Sequence, residues 1–165
     1  GIATLAAAKA GARVTHIDAS KKSINLAREN QAISQLEIKP VRWIIDDAMK
    51  FVRKEVRRGI HYDGIIMDPP KFGRGPKGEV WEFFDMLPEL LREIRPLLSD
   101  NPIFLILTAY AIRASALSIY YAIDELMSGY QGDTECGELV TREKSAGRNI
   151  SLAIWSRWSV SRNPG

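Results

Sequence analysis

Two periodicities alternate along this chain. Residues Ile2–Lys9 are Ala-rich and apolar almost all round, which predicts a buried helix stopping at Gly11. "RVTHID", residues 13–18, is a short β-prone run. Ser20 is a good helix N-cap, and the segment after it places Ser23, Leu26, Ala27 and Ile33 near one face. Residues 41–46, "VRWIID", predict a second strand. Residues 47–59 follow as a helix with Met49, Val52 and Val56 at helical spacing, closed by Gly59. Residues 62–68, "YDGIIMD", predict a third strand. Its unbroken Ile65-Ile66-Met67 run predicts burial on both faces.

Residues 79–98 have a helical pattern, with Pro88 expected to start a second segment. "PIFLILTAY", residues 102–110, reads as a strongly buried strand, and residues 115–127 as a helix. "GELVTRE" and "ISLAIWSRW" predict two closing strands, antiparallel across "KSAGRN". Strand and helix thus alternate four times before a terminal pair of strands. The expected fold is a doubly wound α/β sheet, mostly parallel with an antiparallel C-terminal strand. No linker or internal repeat interrupts it, so residues 1–165 are expected to form one domain.

Composition narrows the chemistry only a little. Apolar residues make up 45% and charged residues 26%, as in ordinary globular chains. The net charge of +3 permits an anionic partner without demanding one. The single cysteine, Cys136, allows no disulfide within the chain and no cysteine metal cluster. Two histidines, His16 and His61, are too few for a convincing His metal site. No metal is expected, and a cytoplasmic, reducing location fits. No apolar run is long enough to span a membrane. The chain begins at Gly1 and enters a helix with no strand before it. We therefore expect a natural N-terminus upstream, with the first strand of the sheet missing.

In such a sheet, ligands bind outside the carboxyl ends of the strands. Asp18 ends one strand, Asp46 and Asp47 the next, Asp68 the third, and residues 108–110 the fourth. Any one of these acids is most simply a helix cap. Three in register are harder to dismiss. An acid at the Asp18 position suits the two hydroxyls of a ribose, in a dehydrogenase as well as in a methyltransferase. Asp68-Pro69-Pro70 discriminates better. Each proline fixes its φ and lacks an N–H, leaving a stiff edge with free carbonyls beside a carboxylate. Such an edge holds a flat nucleobase, and Phe72 offers a stacking face.

Together, "GIATLAAAKAG", "VTHIDASKKSINLARENQAI", "DDAMKFV" and "YDGIIMDPPKFGRG" resemble the class I S-adenosylmethionine-dependent methyltransferases. They are most similar to bacterial ribosomal-RNA methyltransferases with Asp-Pro-Pro-Lys-Phe after the fourth strand. The resemblance covers nearly the whole chain and implies a Rossmann-like sheet. It implies that Gly1 is the last glycine of the loop under the cofactor's methionine part. Asp18 would bind the ribose, with Ala19 and Ser20 lining the adenosine. Asp47 would accept from the adenine amino group beside the backbone N–H of Ala48, with Asp46 as its alternate. Asp68 would sit at the methionine end, between cofactor and target base. Pro69, Pro70, Lys71 and Phe72 would hold the target nucleotide. The same resemblance implies an N-terminal RNA-binding region, so the isolated piece is expected to bind cofactor poorly.

Methylation of cytosine C5 in this family requires a cysteine after the fifth strand. Residues 107–118, "LTAYAIRASALS", hold none, and Cys136 is read as a buried or edge structural residue. A target with its own lone pair needs no such cysteine. The expected order is purine ring nitrogen, then exocyclic amine, then C5. Lys71 stands where amino-group methyltransferases often carry an aromatic. Lys71, Arg74 and Lys77 among three glycines form a basic loop suited to RNA phosphates. Two further basic groups lie at residues 50–58 and at Arg142, Lys144 and Arg148. The alternatives are a nicotinamide-dependent dehydrogenase and a non-catalytic RNA- or cofactor-binding module.

Overall fold

A computed structural model describes residues 1–75 and 77–161. The chain divides into two compact units. The first comprises Gly1–Lys54 with Arg74–Val80, and the second Glu55–Gly73 with the rest of the chain from Trp81.

In the first unit, helix α1 (Ile2–Lys9) precedes strand β1 (Val14–Asp18), helix α2 (Lys21–Ile33) and strand β2 (Val41–Ile45). Helix α3 (Ala48–Arg57) begins here. β1 and β2 pair in parallel, from Val14 opposite Val41 to Asp18 opposite Ile45. Helix α1 ends as expected, with Gly11 at a φ of 97°. It is not buried all round. Only Thr4 and Ala8 are buried, while Ile2 is exposed. Its packing against β1 covers one side, and small alanines cannot reach further. The α2 face also differs from expectation. Ile24, Ala27 and Gln31 are buried, and Leu26 and Ile33 are exposed. A buried glutamine sets this face because its amide is fully used. It donates to the carbonyls of Leu36 (2.9 Å) and Lys39 (3.3 Å) and accepts from the Trp43 indole at 3.1 Å.

The second unit is built on strands β3 (Gly64–Met67), β6 (Phe104–Ala109), β7 (Gly132–Arg142) and β8 (Asn149–Val160). Their order is β3-β6-β8-β7. β3 and β6 are parallel, and β8 is antiparallel to both its neighbours. β6 is central, and its Leu105, Leu107 and Ala109 are fully buried. Strand β3 lies at the edge. Ile66 is accordingly 44% exposed, so the expected burial on both faces fails there. Helix α5 (Ala116–Leu126) is capped by the Ser115 hydroxyl and packs on β7 and β8. Cys136 is half-buried in the edge strand β7.

Residues 79–98 depart most from the sequence reading. They open as strand β5 (Val80–Glu82), which pairs with β4 (Phe72–Arg74). Helix α4 (Phe83–Ile94) then runs unbroken through Pro88, and Arg95–Leu97 form a 3-10 turn. Pro88 is the sixth residue of the twelve in α4, so it costs one hydrogen bond inside the helix without ending it.

Candidate functional site

In the first unit, two acid-bearing strand ends lie side by side. Asp18 is level with Ile45, so Asp46 and Asp47 follow β2 at the same carboxyl edge. The chain turns after Asp18 because the Ser20 N–H donates to Asp18 Oδ1 at 2.7 Å. Ser20 itself caps α2, its hydroxyl accepting from the Ser23 N–H at 3.2 Å. The simple capping reading therefore fails for Asp18. Among the described residues, its Oδ2 takes no hydrogen bond. Ala19 beside it is half-buried and Ser20 is exposed.

Asp46 and Asp47 have different partners. Asp46 Oδ1 accepts from the Asp47 N–H at 3.0 Å, and its Oδ2 pairs with Lys54 Nζ at 2.6 Å. The Lys54 hydrogen bond holds Asp46 below its ordinary carboxylate range. Asp47 is the cap of α3: its Oδ1 accepts from the Lys50 N–H at 2.9 Å. Its second oxygen is open among the described residues. Exposed Ala48 opens α3, where a backbone N–H has no acceptor within the helix. Gly1 caps α1, and a Cβ there would lie 2.8 Å from the Ala27 Cβ. Only glycine permits that approach.

Residues Arg74–Val80 belong to this unit too. The expected loose basic loop is instead the tip of the β4–β5 hairpin, and Pro76 lies outside the described residues. Glu79 fastens the tip. One carboxylate oxygen pairs with Lys50 Nζ, and the other accepts from the Lys77 N–H at 2.8 Å. The Glu79 carbonyl accepts from the Gly75 N–H at 2.8 Å. Lys50 above all pushes the Glu79 carboxyl down to about 2. Arg74 and Lys77 keep exposed side chains. Sequence reasoning missed Glu79, because it was taken into the following helix.

In the second unit, Asp68 leaves β3 beside the end of β6. The Thr108 hydroxyl donates to Asp68 Oδ1 at 2.6 Å. Asp68 is exposed, and its Oδ2 has no partner among the described residues. Pro69 is half-buried; Pro70, Lys71 and Phe72 are exposed. The carbonyls of this edge are not all free, contrary to expectation. The Trp81 indole N–H donates to the Pro70 carbonyl at 2.7 Å, and the Phe83 N–H to the Lys71 carbonyl at 3.0 Å. The reason is the hairpin, which returns the chain alongside the Asp-Pro-Pro segment. Its short β-prone "VWE" was the available signal. Residues 110–112 after β6 are Tyr-Ala-Ile, and Ala111 has a φ of 56°.

A crystal structure of an S-adenosylmethionine-dependent methyltransferase from Agrobacterium tumefaciens superposes with a TM-score of 0.92 and 51% identity, over 98% of this chain and 53% of that one. The chain has the Rossmann-like fold of S-adenosylmethionine-dependent methyltransferases. A magnesium protoporphyrin IX methyltransferase from Synechocystis, solved with bound S-adenosylmethionine, shares this methyltransferase fold. Its TM-score is 0.62 at 14% identity, over 98% of this chain and 65% of that one. The ribosomal RNA large subunit methyltransferase I of Klebsiella pneumoniae is 38% identical over 60 residues, which are 36% of this chain and 15% of that protein. The chain thus spans about half the length of the Agrobacterium protein, and the curated match covers a smaller share still. No family model matches. Among the described residues, no helix is long and apolar enough to cross a membrane, and no three His, Cys, Asp or Glu gather as a metal site.

Proposed function

We propose that this chain carries S-adenosylmethionine-dependent methyl transfer to a nucleobase of RNA, with ribosomal RNA as the substrate class. The observation that carries the reading is Asp68. Thr108 holds one of its oxygens, and the other stays open at a rim made rigid by two prolines. The methyltransferase fold and the ribosomal-RNA relative support it.

The residues of the first unit fit the cofactor. The open oxygen of Asp18 accepts from the ribose hydroxyls, with Ala19 and Ser20 lining the nucleoside. The open oxygen of Asp47 accepts from the adenine amino group and the Ala48 N–H donates to the ring. Asp46 is already engaged by Lys54, which leaves the role to Asp47. Gly1 supports the methionine part. When bound, S-adenosylmethionine supplies an electrophilic methyl group.

The second unit's residues position the nucleophile. Pro69 and Pro70 offer no N–H, and Pro70 and Lys71 have spent their carbonyls. Among the described residues, the open acceptors of this rim are Asp68 Oδ2 and the carbonyls of Asp68 and Pro69. Acceptors hold a nitrogen that bears hydrogen. Among targets with their own lone pair, this favours an exocyclic amine over a bare purine ring nitrogen. The open oxygen of Asp68 orients that N–H and aligns the nitrogen lone pair. Residues 107–118 hold no cysteine, which disfavours C5 chemistry. Lys71, Arg74 and Lys77 contact RNA phosphates, and Phe72, 55% exposed, stacks on the base.

The test is transfer of a labelled methyl group from S-adenosylmethionine to unmodified ribosomal RNA, followed by mapping of the labelled nucleotide. Label on an exocyclic nitrogen supports the reading. Label on C5 overturns the target, and no transfer to any RNA overturns the function.

A further inference from the structure

The contact between Trp81 and Pro70 has no role in the reading above beyond removing an acceptor. Its geometry is that of a brace. The indole N–H reaches the Pro70 carbonyl at 2.7 Å, eleven residues back along the chain. Trp81 lies on β5 beside Gly73 of β4, and a Cβ on Gly73 would lie 3.9 Å from the Trp81 Cβ and 3.1 Å from the Pro70 ring. The hairpin therefore closes directly on the second proline. Two residues later, the Phe83 N–H binds the Lys71 carbonyl and α4 begins. The Asp-Pro-Pro-Lys segment is thus pinned at two successive carbonyls to a chain continuing into a helix whose Phe83 is 2% exposed.

A proline pair needs such a brace. Proline fixes φ but leaves ψ free, so the plane of the Pro70 carbonyl is not set by the ring. With no N–H on either proline, neither residue can anchor itself through a donor of its own. An acceptor contact is the only backbone hydrogen bond available to Pro70. Tryptophan supplies a donor with no acceptor capacity, on a side chain with few rotamers. Its N–H is exposed enough for water to compete, so the bond serves geometry rather than stability.

We propose that Trp81 is a positioning residue of the nucleobase rim, setting the orientation of Pro70 and thereby of Asp68-Pro69 through its indole N–H. This rests on the nucleobase reading of the Asp68 rim. The base-side consequence is specific to the N–H and not to the bulk of the ring.

The test replaces Trp81 by β-(3-benzothienyl)alanine, which keeps the bicyclic shape and lacks the N–H, in the otherwise intact protein. Trp81→Phe serves as a second variant. Backbone hydrogen exchange at residues 71–75 should speed up at least fivefold in the benzothienyl variant, while residues 104–109 stay unchanged. In turnover, kcat with RNA should fall about tenfold with the KM for S-adenosylmethionine within twofold of wild type. Unchanged exchange at residues 71–75 overturns the proposal whether or not the protein methylates RNA. Wild-type kcat in the benzothienyl variant, with a loss only in Trp81→Phe, also overturns it by assigning the effect to bulk. Absence of transfer by wild-type protein defeats the nucleobase reading instead, and the exchange experiment then decides the brace alone.

Discussion

Thr108 Oγ1 lies 2.6 Å from Asp68 Oδ1, joining the ends of parallel strands β3 and β6. The hydroxyl is a donor here, and it leaves the second carboxylate oxygen as the outward one. Thr108→Val keeps the β-branched shape and removes the donor. A hydrogen bond to a charged group is worth roughly 1.5–3 kcal/mol, so a loss made in the transition state lowers kcat about ten- to a hundredfold. The KM for S-adenosylmethionine and the melting temperature should change little, since Asp68 is exposed. Steady-state kinetics on RNA check this. A variant with wild-type kcat removes Thr108 from the site.

Asp18 offers a sharper test of cofactor binding. One of its oxygens closes the turn to Ser20, and the other is open. Asp18→Asn can still accept at the turn but exchanges a carboxylate for an amide. Calorimetric titration with S-adenosylhomocysteine should show affinity lowered at least tenfold in Asp18→Asn and lost in Asp18→Ala. Ser115→Ala is the control. It removes the α5 cap, costs about 1 kcal/mol of stability, and leaves Asp18 and its neighbours in place.

Glu79 ties the hairpin tip best while ionised, because both its oxygens then accept and the Lys50 contact is an ion pair. Its folded pKa, about 2, is depressed from 4.5. A depressed carboxyl contributes order above its unfolded pKa and loses it as pH falls through the folded value. Amide exchange or NMR signals of Gly75 and Lys77 should therefore report a tip fastened above pH 4.5 and released between pH 4.5 and about 2. Glu79→Gln should flatten that dependence. The pair is at the surface, so the effect is local and weakens with salt.

Much of this was legible in the sequence, and the exceptions have physical causes. Helix α1, strands β1, β2, β6 and the closing antiparallel pair follow from periodicity and caps, with Gly11 and Gly59 at positive φ where helices were expected to stop. Ser20 was legible as a cap from its place alone. Periodicity could not rank Gln31 above Leu26, because burial of Gln31 depends on three partners from other segments. Glycines and cations at residues 71–78 read as a loose loop. The β4–β5 ladder, Glu79 and Trp81 supply order that no local pattern announces. Asp18, Asp47 and Asp68 were visible as acids at predicted strand ends. Which of their oxygens remained open was not.

Glu55 gives a prediction about stability alone. It is 1% exposed, and its carboxylate takes the Tyr62 hydroxyl at 2.8 Å and the Arg58 guanidinium at 3.1 Å. Removing this carboxylate loses the charge-assisted bonds from Tyr62 and Arg58 and empties a buried position, at a cost of about 3 kcal/mol. Glu55→Ala should lower the melting temperature by roughly 6–12 °C in a chain of this size. Tyr62→Phe should cost less, about 1 kcal/mol, since Arg58 remains. Equal losses in both variants would place the phenol, not the acid, at the centre of this network.

Lys71 separates RNA contact from catalysis. Its carbonyl is fixed by Phe83, so the backbone at this position is set whatever the side chain. The exposed ammonium is then free to meet a phosphate. Each phosphate contact contributes about one unit to the slope of log affinity against log salt. In Lys71→Ala, RNA affinity measured from about 50 to 200 mM salt should fall with a slope smaller by about one. Affinity for S-adenosylmethionine should not move, since no cofactor-facing group is altered. Lys71→Arg should restore the slope, because any fixed cation releases the same counterion. A weaker affinity with an unchanged slope would instead give Lys71 a role in packing the rim beside Phe72, and would shift the phosphate contacts to Arg74 and Lys77.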